Sequence, residues 1–212
     1  MVSSIQETDY TLPRPKGEYM YYSRTFKGKS YSTYYRAPRI RDTAALVSAI
    51  QSWDGTIDST ILPGETVILD VNALAKDQKY CSIGSVSVSP SQNILAYSAD
   101  YTGDEKYGLY VVNLQQADGM IDHDPTLEIS GSVVWGKDDT TLFYSKMDDA
   151  HRPYQVYKRH ITTSSTPTQD DEKPSAAEDE LIFEEKDDLY WVGISKSLDK
   201  KYLFIEASSP ET

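Results

Sequence analysis

Residues 82–98, SIGSVSVSPSQNILAYS, decide the fold class of this chain. Apolar and small residues alternate in the first half, a polar turn follows at residues 90–93, and a second β-prone run begins at Ile94. Two such runs joined by a short polar turn are typical of a β-hairpin. Within this hairpin Val86 lies nine positions before Leu95.

The same pattern occurs twice more along the chain. Residues 129–145, ISGSVVWGKDDTTLFYS, and residues 190–206, YWVGISKSLDKKYLFIE, align with residues 82–98 without gaps. Both keep an apolar residue nine positions before a leucine, in the pairs Val133 with Leu142 and Ile194 with Leu203. A weaker copy of the hairpin, at residues 19–35, opens the chain.

The distances between the copies indicate the architecture. Leu142 follows Leu95 by 47 residues, and Leu203 follows Leu142 by 61. Each unit also continues into a third β-prone run, at residues 107–112 and 154–159. Units of about 40–50 residues with several strands each are typical of β-propellers. The sequence therefore predicts an all-β fold, a partial β-propeller of about three and a half antiparallel blades with short helical insertions.

The predicted domain organisation is simple. Residues 1–16 form a lead-in, and residues 17–212 form one incomplete propeller domain. Inserted loops are predicted at about residues 37–66 and 162–180, the second of which is rich in Ser, Thr, Pro and acidic residues. Two short helices are predicted between blades, at residues 42–51, with Asp42 as the N-cap, and at residues 71–76.

Composition narrows the classes of partner. Tyrosine supplies 17 of 212 residues, which favours pleated, half-buried surfaces. The formal net charge of −12 argues against nucleic acid and against an anionic membrane surface as partners. The N-terminal residues do not resemble a signal peptide, so a cytoplasmic location is expected. The single cysteine, Cys81, excludes an intrachain disulfide and is predicted to be a small buried apolar residue.

No complete catalytic, metal or cofactor site can be assembled from motifs in this sequence. The string Gly193-Ile194-Ser195-Lys196-Ser197 lacks the second glycine of a nucleophile elbow and lies inside a predicted strand. The three histidines show no metal-ligand spacing, and residues 148–151 favour an Asp-rich hairpin loop over a cation site. We therefore assign no catalytic residue, no metal and no cofactor to these 212 residues.

An acidic cluster lies at residues 170–188, with ten carboxylates against two lysines. Two interpretations stay open. The cluster is either a solvated loop that keeps a β protein soluble or an electrostatic lure for basic substrates.

Four longer strings resemble the prolyl oligopeptidase family, and within it the oligopeptidase B group. They are LDVNALA at residues 69–75, GSVVWG at 131–136, MDDAHRP at 147–153 and FEEKDDLYWVGISKS at 183–197. The resemblance runs in order from about Ile5 to Thr212. It implies a seven-bladed propeller that caps an α/β-hydrolase domain with a Ser-Asp-His triad. Such enzymes cut short peptides, in the oligopeptidase B group after Arg or Lys, and the propeller excludes folded proteins.

The resemblance also implies one site residue. Residues 100–105 match the place where the family carries an acidic residue that faces the catalytic domain. By position this residue is Glu105, expected to pair with an arginine near the substrate, the alternative being an ordinary hairpin-loop glutamate. The implied partners are the α/β-hydrolase domain in cis and short basic peptides.

The family pattern includes three further blades and the hydrolase domain, which the 212 residues do not contain. The chain is therefore expected to be inactive alone and, because it ends inside a blade with an exposed strand edge, to be oligomeric or poorly soluble. Two functions stay open. One is the gating and substrate-steering propeller of a serine-type endopeptidase, and the other is a non-catalytic propeller scaffold.

Overall fold

The computed structural model describes residues 8–116, 119–162 and 179–209 of the chain. The chain divides into two compact units, residues 1–78 and residues 79–212, which we call unit 1 and unit 2. Among the described residues, no helix is both long enough and apolar enough to cross a membrane.

Unit 1 contains a five-stranded antiparallel sheet. Its strands are β1 (Asp9–Tyr10), β2 (Arg14–Lys16), β3 (Tyr19–Thr25), β4 (Thr33–Pro38) and β5 (Thr66–Asp70). β1 and β2 both pair with β3, one after the other along its length, so together they take the place of one first strand. These two strands lie in the predicted lead-in of residues 1–16, which therefore contributes to the first sheet.

Alternation along β3 explains the core of unit 1. Every second residue of β3 is buried, as expected for a strand with one face against a core. The buried apolar cluster combines side chains of β3 and β4 with two from the segment that precedes β5: Met20, Tyr22, Tyr35, Ala37, Ile61 and Leu62.

Two short helices form where the sequence predicts them. α1 (Thr43–Gln51) begins after Asp42, whose carboxylate accepts a 2.7 Å hydrogen bond from the Ala45 backbone N–H, and α2 (Val71–Leu74) follows β5 directly. The prediction that both helices lie between blades is wrong for α1. It lies between β4 and β5, which pair with each other, because the chain leaves the sheet and returns beside the strand it left.

Unit 2 contains a seven-stranded antiparallel sheet in sequence order and a separate two-stranded sheet. The large sheet consists of β6 (Ser82–Val88), β7 (Ile94–Asp100), β8 (Tyr107–Asn113), β9 (Met120–Trp135), β10 (Thr141–Met147), β11 (Pro153–His160) and β12 (Glu180–Glu184). The small sheet pairs β13 (Trp191–Lys196) with β14 (Leu203–Ser208).

The three predicted hairpins are confirmed, and they share one register. In each, the leucine of the second strand lies opposite the residue seven positions earlier, in the pairs Val88 with Leu95, Trp135 with Leu142 and Lys196 with Leu203. The intervening polar residues form the turns. Identical register follows from identical turn length, because the turn sets which residues face each other.

Strand β9 belongs to two blades. Its first half pairs with β8 and its second half with β10, and the backbone turns between them, where Glu128 and Gly131 have φ angles of 55° and 94°. A Cβ on Gly84 would lie 2.8 Å from the Cα of Gly131, which is too close for a side chain. β6 and the second half of β9 therefore approach each other closely at two glycines that occupy the same position in successive repeats. The described strands thus make three four-stranded blades and the first hairpin of another, as predicted.

A pair of stacked tyrosines recurs in all three blades. The two rings lie 13 residues apart in sequence and directly opposite in the sheet, in the pairs Tyr22 with Tyr35, Tyr97 with Tyr110 and Tyr144 with Tyr157. Their ring centroids are 5.9, 5.0 and 5.7 Å apart. Cross-strand aromatic pairs stabilise sheets, which accounts for six of the 17 tyrosines.

The positions of the tyrosine pairs also show how the opening hairpin aligns with the later blades. Tyr22 and Tyr35 lie on β3 and β4, whereas the later pairs lie on β7 with β8 and on β10 with β11. The opening hairpin therefore corresponds to the second hairpin of the later blades. Its predicted equivalence to residues 82–98 is wrong, because β1 and β2 supply the first strand.

The small sheet exposes large apolar side chains. Trp191 and Phe204 are 52% and 46% exposed, and Tyr202, Leu189 and Leu198 are exposed beside them. We expect the 212-residue chain to self-associate in solution, because several large apolar side chains exposed on one small sheet favour association. Sedimentation velocity over a concentration series should show oligomers that Trp191→Thr with Phe204→Thr shifts toward monomer. Leu12→Thr, at an exposed leucine of unit 1, should leave them unchanged, and a cooperatively folded wild-type monomer would contradict the prediction.

Candidate functional site

One face of unit 2 is formed by loops that contact one another. We call it the Glu105 face and define it as residues 101–106, 148–152 and 185–190 together with Glu128. Lys106 Nζ lies 3.2 Å from Glu128 Oε1, and His151 Nδ1 lies 4.0 Å from Glu105 Oε2. Arg152 reaches from the second loop to the third. The loops between β7 and β8, β10 and β11, and β12 and β13 therefore lie side by side.

The other loops of unit 2 meet at the opposite ends of the strands. We call this the opposite face and define it by residues 89–93, 114–116, 136–140 and 197–202. The Ser91 N–H donates to Asp139 Oδ1 at 3.0 Å, and the Leu114 N–H donates to the Asn93 carbonyl at 2.8 Å. Lys196, at the end of β13, donates to the Gly136 carbonyl.

The two faces differ in charge. The Glu105 face carries three basic residues (Lys106, Arg152 and Lys186) and eight carboxylates, which are Asp104, Glu105, Glu128, Asp148, Asp149, Glu185, Asp187 and Asp188. Its formal charge is −5 with His151 neutral. The described residues of the opposite face carry three of each sign, namely Asp138, Asp139, Asp199, Lys137, Lys200 and Lys201. Among the described loop residues of unit 2, the excess of negative charge therefore lies on the Glu105 face.

Asp100 shapes the loop that carries Glu105. Its buried carboxylate accepts hydrogen bonds from the backbone N–H groups of Thr102, Gly103 and Glu105, at 2.7, 3.1 and 3.0 Å. Burial acts to raise the pKa of Asp100, but these donors and the Thr102 hydroxyl outweigh it and lower the pKa. The hydrogen bonds from the loop to the Asp100 carboxylate therefore hold the loop in one conformation.

Glu105 projects from this loop into solvent. Its backbone has a φ of 60°, a left-handed conformation that the N–H bond to Asp100 stabilises, and its side chain is 77% exposed. Across the blade boundary, its Oε2 lies 4.0 Å from Nδ1 of His151, on the equivalent loop of the next blade. A glutamate held this way is available to an incoming partner, while its predicted pairing with an arginine of a catalytic domain stays a prediction.

Arg152 joins the second and third loops of the Glu105 face. Its Nε donates to Asp148 Oδ2 at 2.9 Å, and its Nη1 donates to the backbone carbonyls of Asp187 and Tyr190 at 2.9 and 3.0 Å. Hydrogen bonds from the backbone and side chain of Arg152 lower the pKa of Asp148. Asp148 thus organises a loop, and in the described part of the chain no cluster of three His, Cys, Asp or Glu side chains is arranged to hold a metal ion.

Other residues singled out in the sequence take structural positions. Cys81 is buried as predicted, and burial raises the pKa of its thiol. Ser195 lies within β13 opposite Phe204, so the predicted strand is confirmed there. Of the acidic cluster at residues 170–188, residues 170–178 lie outside the described residues. The side chain of Asp179 is buried in an ion cluster, which neither the solvated-loop nor the electrostatic-lure interpretation includes, whereas residues 184–188 are mostly exposed.

Comparison with known proteins identifies the family. The family model described as the N-terminal beta-propeller domain of prolyl oligopeptidase matches residues 1–212. Among curated relatives, Protease 2 of Moraxella lacunata is 31% identical over 212 residues, and Dipeptidyl aminopeptidase BI of Pseudoxanthomonas mexicana is 30% identical. The matches cover 100% and 99% of this chain but only 27% of each relative.

Solved structures show the same relationship. Oligopeptidase B from Leishmania major matches with a TM-score of 0.78 and 27% identity, over 99% of this chain and 25% of that one. Oligopeptidase B from Trypanosoma brucei, with covalently bound antipain in a closed form, matches with a TM-score of 0.72 and 29% identity, over 98% and 25%. The predicted partial propeller is thereby confirmed, and the chain belongs to the prolyl oligopeptidase family as an N-terminal β-propeller portion.

Proposed function

We propose that this propeller gates and steers short basic peptides toward a serine-type catalytic domain carried by the same full-length polypeptide. The two curated relatives are named as a protease and an aminopeptidase, and the chain spans 27% of their length. The observation that carries the proposal is the charge difference between the two faces of unit 2.

The physical basis of steering is long-range attraction. A surface with clustered negative charge raises the local concentration of cations and their rate of association, by about 10-fold to 1,000-fold in favourable cases. The Glu105 face has this character, whereas the described residues of the opposite face carry equal numbers of positive and negative charges. Because exposed charges are screened within about 10 Å at 0.1 M salt, the contribution should weaken as ionic strength rises.

Gating requires loops that keep their positions. The carboxylates of Asp100 and Asp148 each fix one loop of the Glu105 face, and Arg152 ties the second loop to the third. These contacts would keep the loops of the Glu105 face in fixed positions. Short peptides would then pass and folded proteins would not, which is the size selection that the family resemblance implies.

The steering role is tested in the full-length protein that carries this propeller. Asp104→Asn with Glu105→Gln removes two exposed charges from the Glu105 face. We expect kcat/KM for peptides ending in Arg or Lys to fall about 3-fold to 10-fold at low salt, with kcat nearly unchanged. The loss should shrink at high salt, and cleavage of a neutral peptide should not change.

Asp58→Asn with Asp77→Asn is the matched control, since both residues are exposed carboxylates of unit 1. Equal losses in the two double variants would show that net charge and not the Glu105 face matters. The 212-residue chain alone should not hydrolyse these peptides, and turnover blocked by a serine-directed reagent would overturn that expectation. A full-length wild-type protein without peptidase activity would favour the scaffold alternative.

A further inference from the structure

A buried ion cluster joins three strands of unit 2. Arg159, on β11, places Nε 3.0 Å from Asp122 Oδ2 and Nη1 3.4 Å from Asp124 Oδ2, both on the first half of β9. The same Nη1 lies 3.6 Å from Asp179 Oδ2, just before β12. The Tyr144 hydroxyl, on β10, donates to that Asp179 oxygen at 2.6 Å. We call these five residues the Arg159 cluster.

The charges of the cluster do not balance. One guanidinium faces three carboxylates, which would leave a net charge of −2 if all of them were ionised. The side chains of Arg159 and Asp179 are only 1% and 3% exposed, and those of Asp122 and Asp124 are mostly buried. Like charges held close together away from water cannot all remain ionised without a large cost.

Asp179 is the carboxylate best placed to remain protonated. It is the most buried of the three, and its contact with Arg159 is the longest. Asp124 also accepts two hydrogen bonds from Thr126, which favour its ionised form. We propose that the Arg159 cluster retains a proton on Asp179 at neutral pH and acts as a pH-sensitive clasp that holds the start of β12 against β10 and β11.

The surroundings of Asp179 support this assignment. The titratable and charged groups that act on it are Tyr144 and Lys146 from β10, Arg159 and Tyr157 from β11, and Asp122 from β9, while Asp124 from β9 shares its Arg159 partner. Burial raises the pKa of Asp179 by more than the Tyr144 hydrogen bond and the charges of Arg159 and Lys146 lower it. The Tyr144 pKa is also raised, by burial and by its bond to Asp179, so the tyrosine remains a donor.

The direction of the pH dependence follows from linkage. An aspartate with a raised pKa in the folded state binds a proton that the unfolded chain has already released above about pH 4. Unfolding then releases that proton, so the contribution of Asp179 to stability is present at low pH. It decreases as pH rises from about 4 through the folded-state pKa.

Asp179→Asn in the 212-residue chain tests the clasp, because asparagine mimics the protonated carboxyl. Chemical unfolding of wild type and variant is followed from pH 5 to 9 at low protein concentration. We expect the ratio of the wild-type to the variant unfolding constant to rise with pH, by up to about tenfold per pH unit within the window. Asp188→Asn, at an exposed carboxylate, should show a constant ratio.

An Asp179 that is already ionised at pH 5 would instead give a ratio that does not change from pH 5 to 9, since its folded-state pKa and its unfolded-state value of about 4 would both lie below the measured range. That result would overturn the proposal. Infrared spectroscopy gives a second test that does not require a folded variant. Wild-type protein in D₂O at pH 7 should show a protonated carboxylic acid band that weakens in Asp122→Asn, where one competing charge is gone. Absence of the band in the wild type would also overturn the proposal.

Discussion

Arg159→Met is expected to unfold unit 2 or to lower its free energy of unfolding by about 3–5 kcal/mol. The substitution keeps an unbranched side chain of similar reach but removes the only cation that contacts Asp122, Asp124 and Asp179 among the described residues. Asp122 and Asp124 would remain mostly buried without a contacting cation, and Asp179 would keep only the longer-range attraction of Lys146. Since whole domains are stable by only about 5–15 kcal/mol, a loss of this size removes much of the total.

Urea unfolding followed by far-ultraviolet circular dichroism measures this loss. Lys158→Met is the matched control on the neighbouring residue, because Lys158 pairs with Glu180 in an exposed salt bridge that is expected to contribute less than about 1 kcal/mol. Adding Asp122→Asn and Asp179→Asn to Arg159→Met should restore part of the stability. If Arg159→Met had the same free energy of unfolding as Lys158→Met, the Arg159 cluster would not stabilise unit 2.

Glu65→Ala is expected to destabilise unit 1 by a similar amount, about 3–5 kcal/mol, because it leaves the Arg24 guanidinium buried without its counter-ion. The two side chains are 3% and 1% exposed and form a direct ion pair, and Tyr22 donates its hydroxyl proton to the same carboxylate. Arg24 also donates to the carbonyls of Thr56 and Ser59 at 2.9 and 2.8 Å. The pair therefore fixes the segment before β5 onto the sheet.

If Glu65 is lost, Arg24 keeps its hydrogen bonds to two backbone carbonyls and its contacts with neutral aromatic rings, but it has no carboxylate partner in the described part of the chain. Its Nε has no hydrogen-bond partner among the described residues, although the guanidinium lies 5.2 Å from the centroid of the Trp53 ring. The chain has three tryptophans, so Trp135→Phe and Trp191→Phe are introduced into every protein compared, and the fluorescence of Trp53 during urea unfolding then reports on this site. The control is Glu18→Ala, which breaks an exposed ion pair with Arg41 and should cost less than about 1 kcal/mol. Equal midpoints for the two variants would contradict a stabilising role of the buried pair.

The strands and hairpins could be predicted because their signals are local. Alternation with a period of two and a short polar turn lie within one stretch of about 17 residues, such as residues 82–98. The same holds for α1, whose N-cap, Asp42, directly precedes the helix. The stacked tyrosine pairs could also be predicted from the sequence, since a spacing of 13 residues recurs at Tyr22, Tyr97 and Tyr144.

The placement of each hairpin within its blade was harder to predict from the sequence. The first blade takes its first strand from β1 and β2, two short segments of mostly polar residues that have no apolar alternation. The hairpin of β3 and β4 was therefore matched to the wrong hairpin of the repeat. β9 serves two blades because of a turn near Glu128, and a left-handed glutamate has no sequence signature.

Both ion clusters lay beyond sequence analysis for a physical reason. Arg24 and Glu65 are 41 residues apart, and Arg159 lies 35 and 37 residues from Asp124 and Asp122. A charged residue on a strand is usually solvated, and only the packing of neighbouring elements makes it buried. The acidic cluster shows the consequence, since Asp179 is buried in an ion network while the carboxylates at residues 184–188 are mostly exposed.

The sequence by itself determined the antiparallel blades, their number and the family, because hairpin register and turn length are encoded over a few neighbouring residues. Only the tertiary structure decided which side chains meet: the buried ion pairs, the paired glycines of β6 and β9, and the collection of carboxylates on the Glu105 face. Those contacts arise between residues about 20–50 positions apart in the sequence, where the direction of each strand and the end at which each loop emerges decide proximity. Charge on a loop becomes a charged face only when the strands bring such loops to the same end of the sheet.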